Sequence, residues 1–580
     1  MPVPLTCSND HGRRPTYSPS CAQTCQRSSA NLYKHLTEFS MRQGRILVLD
    51  DEAKWREAIS KALARSFHVD VAADPAVAEE LLESGLYHLL VLDISMDVDN
   101  NNRNIEGMQF LERLKAAGKT TGLVVIILSG FGQVLQARDA FVKYGVTDFL
   151  EKQRFDNHQF AELVQSHLFN NLRINLDLDI RWKGIHGAEA ACWNVKVGGV
   201  RLKREDPHHA ALIARAGAEL DDLLCRLFHN ASTILVQPMQ RGKSGAGILR
   251  VEPFYSATGP GRTAVVKFGD VESILREEKN FQLHVKQFLG GGRSTSLEDL
   301  RQTPLLAGIR YSLLGESDEE FDDFETFYQS HGVSEIRGVL ENLFKKTCSA
   351  WYANTGSLQL RDLGEEYGSL LNLTAERLDD PLKRGLKAVK GKDKLFFDSL
   401  GGTRAFANPV MALGSHSYLW SVYSSITHGD LNGNNILVDR SGSTWLIDFV
   451  QTGPGHVLRD FALLDTVVRL LFLTPAEATL AERLALEEAL LEIRHWSDAA
   501  AAAPRLKTEN EAVAKSFATV RHLRRMAAEQ VSRNPRSEMK EYWVALLYFS
   551  LNHIRFWDLP TVQREHALLA AALLAENLST

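Results

Sequence analysis

At 580 residues, with 44% hydrophobic and 24% charged residues, the chain has the make-up of a water-soluble globular protein and the length of roughly two to four domains. Its 72 acidic and 66 basic residues leave a formal net charge of −6, which gives no electrostatic ground for nucleic acid or an anionic membrane as partner. Six thinly spread cysteines argue against a disulfide framework, and no apolar run is long enough to span a bilayer, so the expected location is the cytoplasm.

Residues 1–41 are rich in Ser, Pro and Thr without periodicity and predict a disordered tail. From 42 to 155 short β-rich runs alternate with amphipathic helical stretches: Ile46 to Leu49, Val69 to Val71, Leu89 to Leu92, Val124 to Leu128 and Phe149 to Leu150. That alternation predicts a parallel sheet covered on both faces. Two of the strands stop abruptly at acids, Leu47-Val-Leu-Asp50-Asp51-Glu52 and Leu89-Leu-Val-Leu-Asp93. In open α/β sheets ligand sites lie beyond the carboxyl ends of the strands, so these acids should meet. Two carboxylates about 4 Å apart repel by about 4 kcal/mol at an effective dielectric of 20. A cation must therefore sit among them, either Mg²⁺ or Lys152 at the end of Asp148-Phe-Leu-Glu-Lys152.

Asp, Asp, Ser129 and Lys at successive strand ends resemble the receiver domain of two-component response regulators. The resemblance implies that Asp93 accepts a phosphoryl group from a sensor histidine kinase and that Asp50 and Asp51 help to bind Mg²⁺. It also implies that Ser129 and Lys152 contact the phosphoryl oxygens and that Phe149 is an aromatic switch. Two departures stand out: Gln153 follows the lysine where proline is usual, and a long polar loop from Asp97 precedes Gly107.

Residues 156–215 read as a connector. Ile174, Leu176, Leu178, Ile180 and Trp182 alternate with polar residues, which predicts a half-buried strand, and Val195 to Leu202 is the expected partner in a β-hairpin. Residues 216–300 carry a helix, strands around a glycine-rich turn and a charged helix, whereas 301–580 are mainly helical.

In that helical part lies Ser425-Ile-Thr-His428-Gly-Asp430-Leu-Asn-Gly-Asn-Asn435-Ile-Leu-Val-Asp, followed by Thr444-Trp-Leu-Ile-Asp448-Phe. Phosphoryl transfer from ATP needs a carboxylate that orients and deprotonates the acceptor hydroxyl, and oxygen ligands for Mg²⁺. Asp430 is placed for the first task, Asn435 and Asp448 for the second. The pattern resembles the aminoglycoside phosphotransferase and choline kinase group of kinase-like enzymes; protein kinases more typically have Arg and Gly where Gly429 and Val450 stand. Upstream, Gln240-Arg-Gly242-Lys-Ser244-Gly245-Ala-Gly247 lies between two strand-like runs, as a phosphate-covering loop must. A Walker A loop is excluded because Gln237 stands where its first glycine is required.

Lys267 sits inside a β-run, where it must meet an anion. By the resemblance it reaches the nucleotide phosphates and pairs with Glu277 or Glu278, of which Glu278 is the expected partner. The expected architecture is thus an α/β and α+β multidomain chain, a flavodoxin-like doubly wound parallel receiver followed by a two-lobed kinase-like domain. The expected function is an ATP-dependent phosphotransferase, acting on an unidentified hydroxyl-bearing acceptor and controlled by the receiver, either within one chain or through a homodimer. The alternative is a non-catalytic adaptor that binds nucleotide or protein. A DNA-binding output would need a basic helix-turn-helix after Phe155, and the Asp-rich connector offers none.

Overall fold

The computed structural model describes residues 43–94, 106–130, 141–239, 245–288, 295–313, 321–386, 393–413, 417–501, 506–532 and 538–579. The expected tail, the polar loop from Asp97 to Asn104, Gly242 and Ser244 lie outside them. The chain divides into two compact units, the first ending at Gln165.

The first unit is built on a five-stranded sheet of β1 (Gly44–Leu49), β2 (Phe67–Ala72), β3 (Leu89–Leu92), β4 (Val124–Ser129) and β5 (Asp148–Glu151), in the order β2-β1-β3-β4-β5. β3 and β4 are buried along their whole length, as continuous apolar runs are in a sheet covered on both faces. Strand order reverses at β1, so the crevice between the ends of β1 and β3 is the topological switch point. Helix α1 (Ala53–Leu63) buries Ile59 and Leu63, and α2 (Pro75–Ser84) begins at Asp74, whose side chain accepts from Ala76 N and Val77 N. The unit extends past the expected boundary at 155. A further helix, Asn157–His167, buries Phe160 and Val164, and Phe155 bridges Phe160 and Trp55 at ring-centroid distances of 5.2 Å and 5.6 Å.

The second unit contains a seven-stranded sheet. Its path runs through β12 (Thr295–Gln302), β13 (Leu306–Leu313), β11 (Ala264–Asp270), β10 (Gly247–Tyr255), β9 (Thr233–Pro238) and β6 (Asp179–Trp182). Two expectations for the connector are corrected here. The alternating run forms a strand only over Asp179–Trp182, and it pairs in parallel with β9. Before it, Asn175 accepts from Asp177 N and donates to Ala231 O, so a local turn overrides the alternation. Val195 to Leu202 folds on itself as β7 (Lys196–Val197) and β8 (Val200–Arg201), because Gly198 and Gly199, at φ 55° and 83°, supply the two-residue turn. The sheet therefore begins before the expected boundary at 216 and ends beyond 300.

The remainder is mainly helical, with short strand pairs. Every residue of the helix Arg459–Val467 is buried, and the helix Lys540–Ile554 is buried over most of its surface, so both lie in the core. Against this core, Ile436–Asp439 pairs antiparallel with Thr444–Leu446 and with Phe321–Asp323, which holds the ends of the central hairpin in place.

Candidate functional site

In the first unit the strand ends bring Asp50, Asp93, Ser129 and Lys152 together, all buried. Lys152 Nζ lies 2.6 Å from Asp93 and 2.7 Å from Asp50, with Glu52 at 3.5 Å. Ser129 Oγ donates to the other oxygen of Asp93 at 2.9 Å. The lysine is thus the cation that relieves the repulsion expected among the acids. Burial would lower its own pKa, but its bonds to Asp50 and Asp93 outweigh that and raise it. Burial also pushes Asp50 up to about 6, against the pull of Lys152. Asp50, Asp51 and Asp93 present oxygens within 4.8 Å of one another, a hard-oxygen set of the kind Mg²⁺ takes. Phe149 is half-buried within β5.

In the second unit a cavity of ≈ 450 Å³ is lined by Lys267, Asp430 and Asp448, with Gly245 and Ala246 on its sheet side. Lys267 is buried in β11 and lies 2.6 Å from Glu277 and 2.5 Å from Asp448. Glu278, the expected partner, is only half-buried and does not make this pair. The reason is the helical period: in Val271–Asn280 the buried positions are Ile274 and Glu277, one turn apart. Glu277 is held further by Tyr311 OH at 2.7 Å and by Phe449 N at 3.1 Å. Asn280 donates to the carbonyls of Phe449 and Val450, which ties the same helix to the segment after Asp448.

Asp430 is fixed by its neighbours. Asn435 Nδ2 donates to Asp430 O at 2.7 Å, and Asn432 Nδ2 donates to Asp430 Oδ1 at 3.2 Å. With its nitrogen so engaged, Asn435 retains its amide oxygen as a potential ligand. His428 Nε2 donates to Ile447 O at 3.0 Å, while His428 N and Gly429 N donate to the two carboxylate oxygens of buried Asp460. Asp448 adopts a left-handed conformation, φ 70°, rare for a residue with a side chain and held here by Lys267. Burial and the Asp448 charge raise the pKa of Asp430, whereas the Lys267 charge outweighs burial to lower that of Asp448.

Of the expected glycine-rich loop, Gly245 lines the cavity and Gly247 is the first residue of β10. Gly245 has φ 87°, and an added Cβ would stand 3.0 Å from Lys196 Cβ. Lys196 N also donates to Gly245 O at 2.6 Å, so the β7–β8 hairpin lies against this turn and Lys196 lines the cavity. The sequence offered a signal for Glu277 in the helical period. For Lys196 it offered only the Gly-Gly turn, and for Arg555, which also lines the cavity, nothing.

Comparison with known proteins divides the chain in the same way. A family model described as "Response regulator receiver domain" matches residues 46–165. A second, "Ternary complex associated domain 9", matches residues 232–398 and 384–554, more than half of the chain. Protein-glutamate methylesterase/protein-glutamine glutaminase 3 of Burkholderia thailandensis is 30% identical over 139 residues, 23% of this chain and 36% of that protein. Transcriptional regulatory protein TctD of Salmonella typhimurium is 32% identical over 109 residues, 19% of this chain and 45% of that protein. The chain thus spans about a third of the first relative's length and under half of the second's. Among solved structures, the Francisella response regulator 1452 receiver domain is 25% identical with a TM-score of 0.19, covering 21% of this chain and 94% of its own.

Proposed function

Because the chain belongs to the Ternary complex associated domain 9 family and also carries a response regulator receiver domain, we propose that it is a two-component signalling protein whose receiver governs an ATP-dependent phosphotransferase. The receiver implies a phosphodonor such as a histidine kinase. In this reading Asp93 accepts the phosphoryl group, Asp50 and Asp51 complete a Mg²⁺ site with it, and Ser129 and Lys152 meet the transferred oxygens. Lys152 then exchanges a carboxylate partner for a phosphoryl oxygen, which couples the charge on Asp93 to the position of β5.

The second unit is read as a two-lobed kinase-like domain, the seven-stranded sheet being one lobe and the helical part the other. One observation carries this: Lys267, Asp430 and Asp448 line a single cavity, with Lys267 held between Glu277 and Asp448. The raised pKa of Asp430 suits a base that takes a proton from an acceptor hydroxyl. Asp430, Asp448 and Glu277 together outnumber the one lysine by two charges, which suits a divalent cation held by Asp448 and Asn435. Mg²⁺ bound there neutralises phosphate charge. Lys267 reaches the ATP phosphates, and the turn at Gly245 covers them. The contact between Lys196 and Gly245 gives the connector a handle on that turn.

Mg²⁺-dependent ATP turnover in the intact protein and in Asp430→Asn tests the enzyme. Turnover that the substitution abolishes supports it; nucleotide binding without turnover in either, across trials of hydroxyl acceptors, rejects it. The description of the family as ternary complex associated favours a second reading, a non-catalytic adaptor that binds nucleotide or protein and reports the receiver's state within an assembly. ATP turnover in Asp93→Asn and in protein treated with a small phosphodonor tests control within one chain. Equal rates argue against control in cis; a sedimentation change on phosphodonor treatment that Asp93→Asn lacks would support control through a homodimer. No helix among the described residues is long and apolar enough to cross a membrane.

A further inference from the structure

Arg555 caps the C-terminal end of the helix Lys540–Ile554 and forms part of the wall of the cavity that holds Asp430. Its guanidinium donates to Leu371 O and Asn372 O, each at 3.1 Å, and to Asn552 Oδ1. All three acceptors are neutral. No carboxylate among the described residues lies within ion-pair distance, and the Arg377 charge that acts on it has the same sign. Three of its five N–H donors are used, and its Nε is buried without a partner. Leu370, Leu371, Asn552 and Phe556 line the cavity with it, and half-buried Arg555 has no carboxylate partner among the described residues.

Leu371 and Asn372 end the helix Leu363–Leu371, so its carbonyl dipoles meet part of the charge, but no ion pair completes it and two N–H donors stay unused. A docking oxyanion completes the balance through charge-assisted hydrogen bonds that a guanidinium makes well. Resting on the phosphotransferase reading, we propose that the acceptor is a small hydroxyl compound bearing a carboxylate or phosphate, whose oxyanion is held by Arg555 while its hydroxyl meets Asp430. Asp270, Glu272, Asp430 and Asp448 also line the cavity, so a cationic acceptor such as an aminoglycoside or choline is the competing outcome.

The test uses the full chain and matched probes: glycerol, glycerate and glycerol 3-phosphate; glucose, gluconate and glucose 6-phosphate; and choline as the cation. Calorimetric binding is measured without nucleotide, and kcat and KM are measured with Mg·ATP. At least one anionic member is expected to exceed its neutral counterpart tenfold or more in affinity and in kcat/KM. Arg555→Gln is expected to erase that preference through KM, and Arg555→Lys to retain most of it, with folding compared by circular dichroism. Carboxylate and phosphate arms tell which oxyanion is preferred. Preference for neutral or cationic members, absence of binding by every anionic member, or an unchanged preference in Arg555→Gln overturns the proposal. Failure of the protein to bind Mg·ATP counts instead against the phosphotransferase reading, because anion binding is read independently of nucleotide.

Discussion

Lys267 and Glu277 form an ion pair of 2.6 Å with both side chains inside the protein, and Asp448 approaches the same ammonium to 2.5 Å. One base therefore serves two buried acids. Removing the lysine leaves two carboxylates facing each other, whereas removing Glu277 leaves a one-to-one pair. Lys267→Met should cost about 3–5 kcal/mol of stability and Glu277→Gln about 1–2 kcal/mol, read from denaturant midpoints of the second unit's unfolding in the full chain. A larger loss in Glu277→Gln would show that the charges are not shared in this way.

Acid should weaken the protein through a second buried network. Arg469 donates to Asp465 at 2.6 Å and to both oxygens of Glu487 at 2.7 Å, and Arg524 donates to Asp465 at 2.9 Å. His566 Nε2 lies 2.8 Å from Glu487, and Arg483 Nη1 donates to His566 Nδ1 at 3.2 Å, an arrangement that requires the neutral imidazole with its proton on Nε2. Burial would raise Glu487, but the Arg469 charge and His566 outweigh it and hold the carboxyl at about 2, against 4.5 unfolded. Burial lowers His566 below its ordinary 6.5. Below pH 6.5 the unfolded chain takes up the histidine proton first, and below 4.5 it takes up the glutamate proton first. Both uptakes favour unfolding, so stability falls as pH drops through each window, the glutamate contributing about 3 kcal/mol. His566→Gln can satisfy both partners without titrating. Its stability-versus-pH curve should be flatter than the parent's just below pH 6.5, while the lower window stays in place.

Gly429 has φ 86°, and an added Cβ would fall 2.4 Å from Gln451 O and 2.5 Å from Arg459 Nη2. Arg459 in turn donates to Gly429 O at 3.0 Å. Gly429→Ala combines an unfavourable backbone with a clash against backbone and a buried guanidinium. A loss of roughly 2 kcal/mol or more is expected. Thermal scans and limited proteolysis measure it, and an unchanged melting profile would contradict this packing.

For the receiver, incubation with a small phosphodonor and Mg²⁺ should add one phosphoryl group, seen by intact mass. The adduct should be absent from Asp93→Asn and after chelation of the metal. An adduct that persists in Asp93→Asn places the acceptor elsewhere.

Strand ends made the receiver pocket legible in the sequence, because a hydrophobic run that stops at an acid in an α/β pattern has few other places to go. Lys152 is the instructive case: simple repulsion between Asp50 and Asp93 requires a cation, and the lysine lies between them. Lys267 was legible for the same reason, as a charge inside a strand. Its partner was not, since neighbouring glutamates differ only in helical phase, and that phase is set by Ile274 facing the core. The connector failed differently. Alternation from Ile174 to Trp182 promised a full strand, but the Asn175 side chain competes with the ladder for backbone groups. Arg555 carries no local signal, because its place in the cavity wall depends on contacts between distant helices.

The parallel pairing of Asp179–Trp182 with β9 bears on how the protein can be dissected. A fragment begun at Ala216 would lack this outermost strand and the hairpin that touches Gly245, leaving the backbone of β9 open to pairing with other chains. Clumping of such a fragment would report a misplaced cut, whereas one begun near Ser166 keeps its border closed.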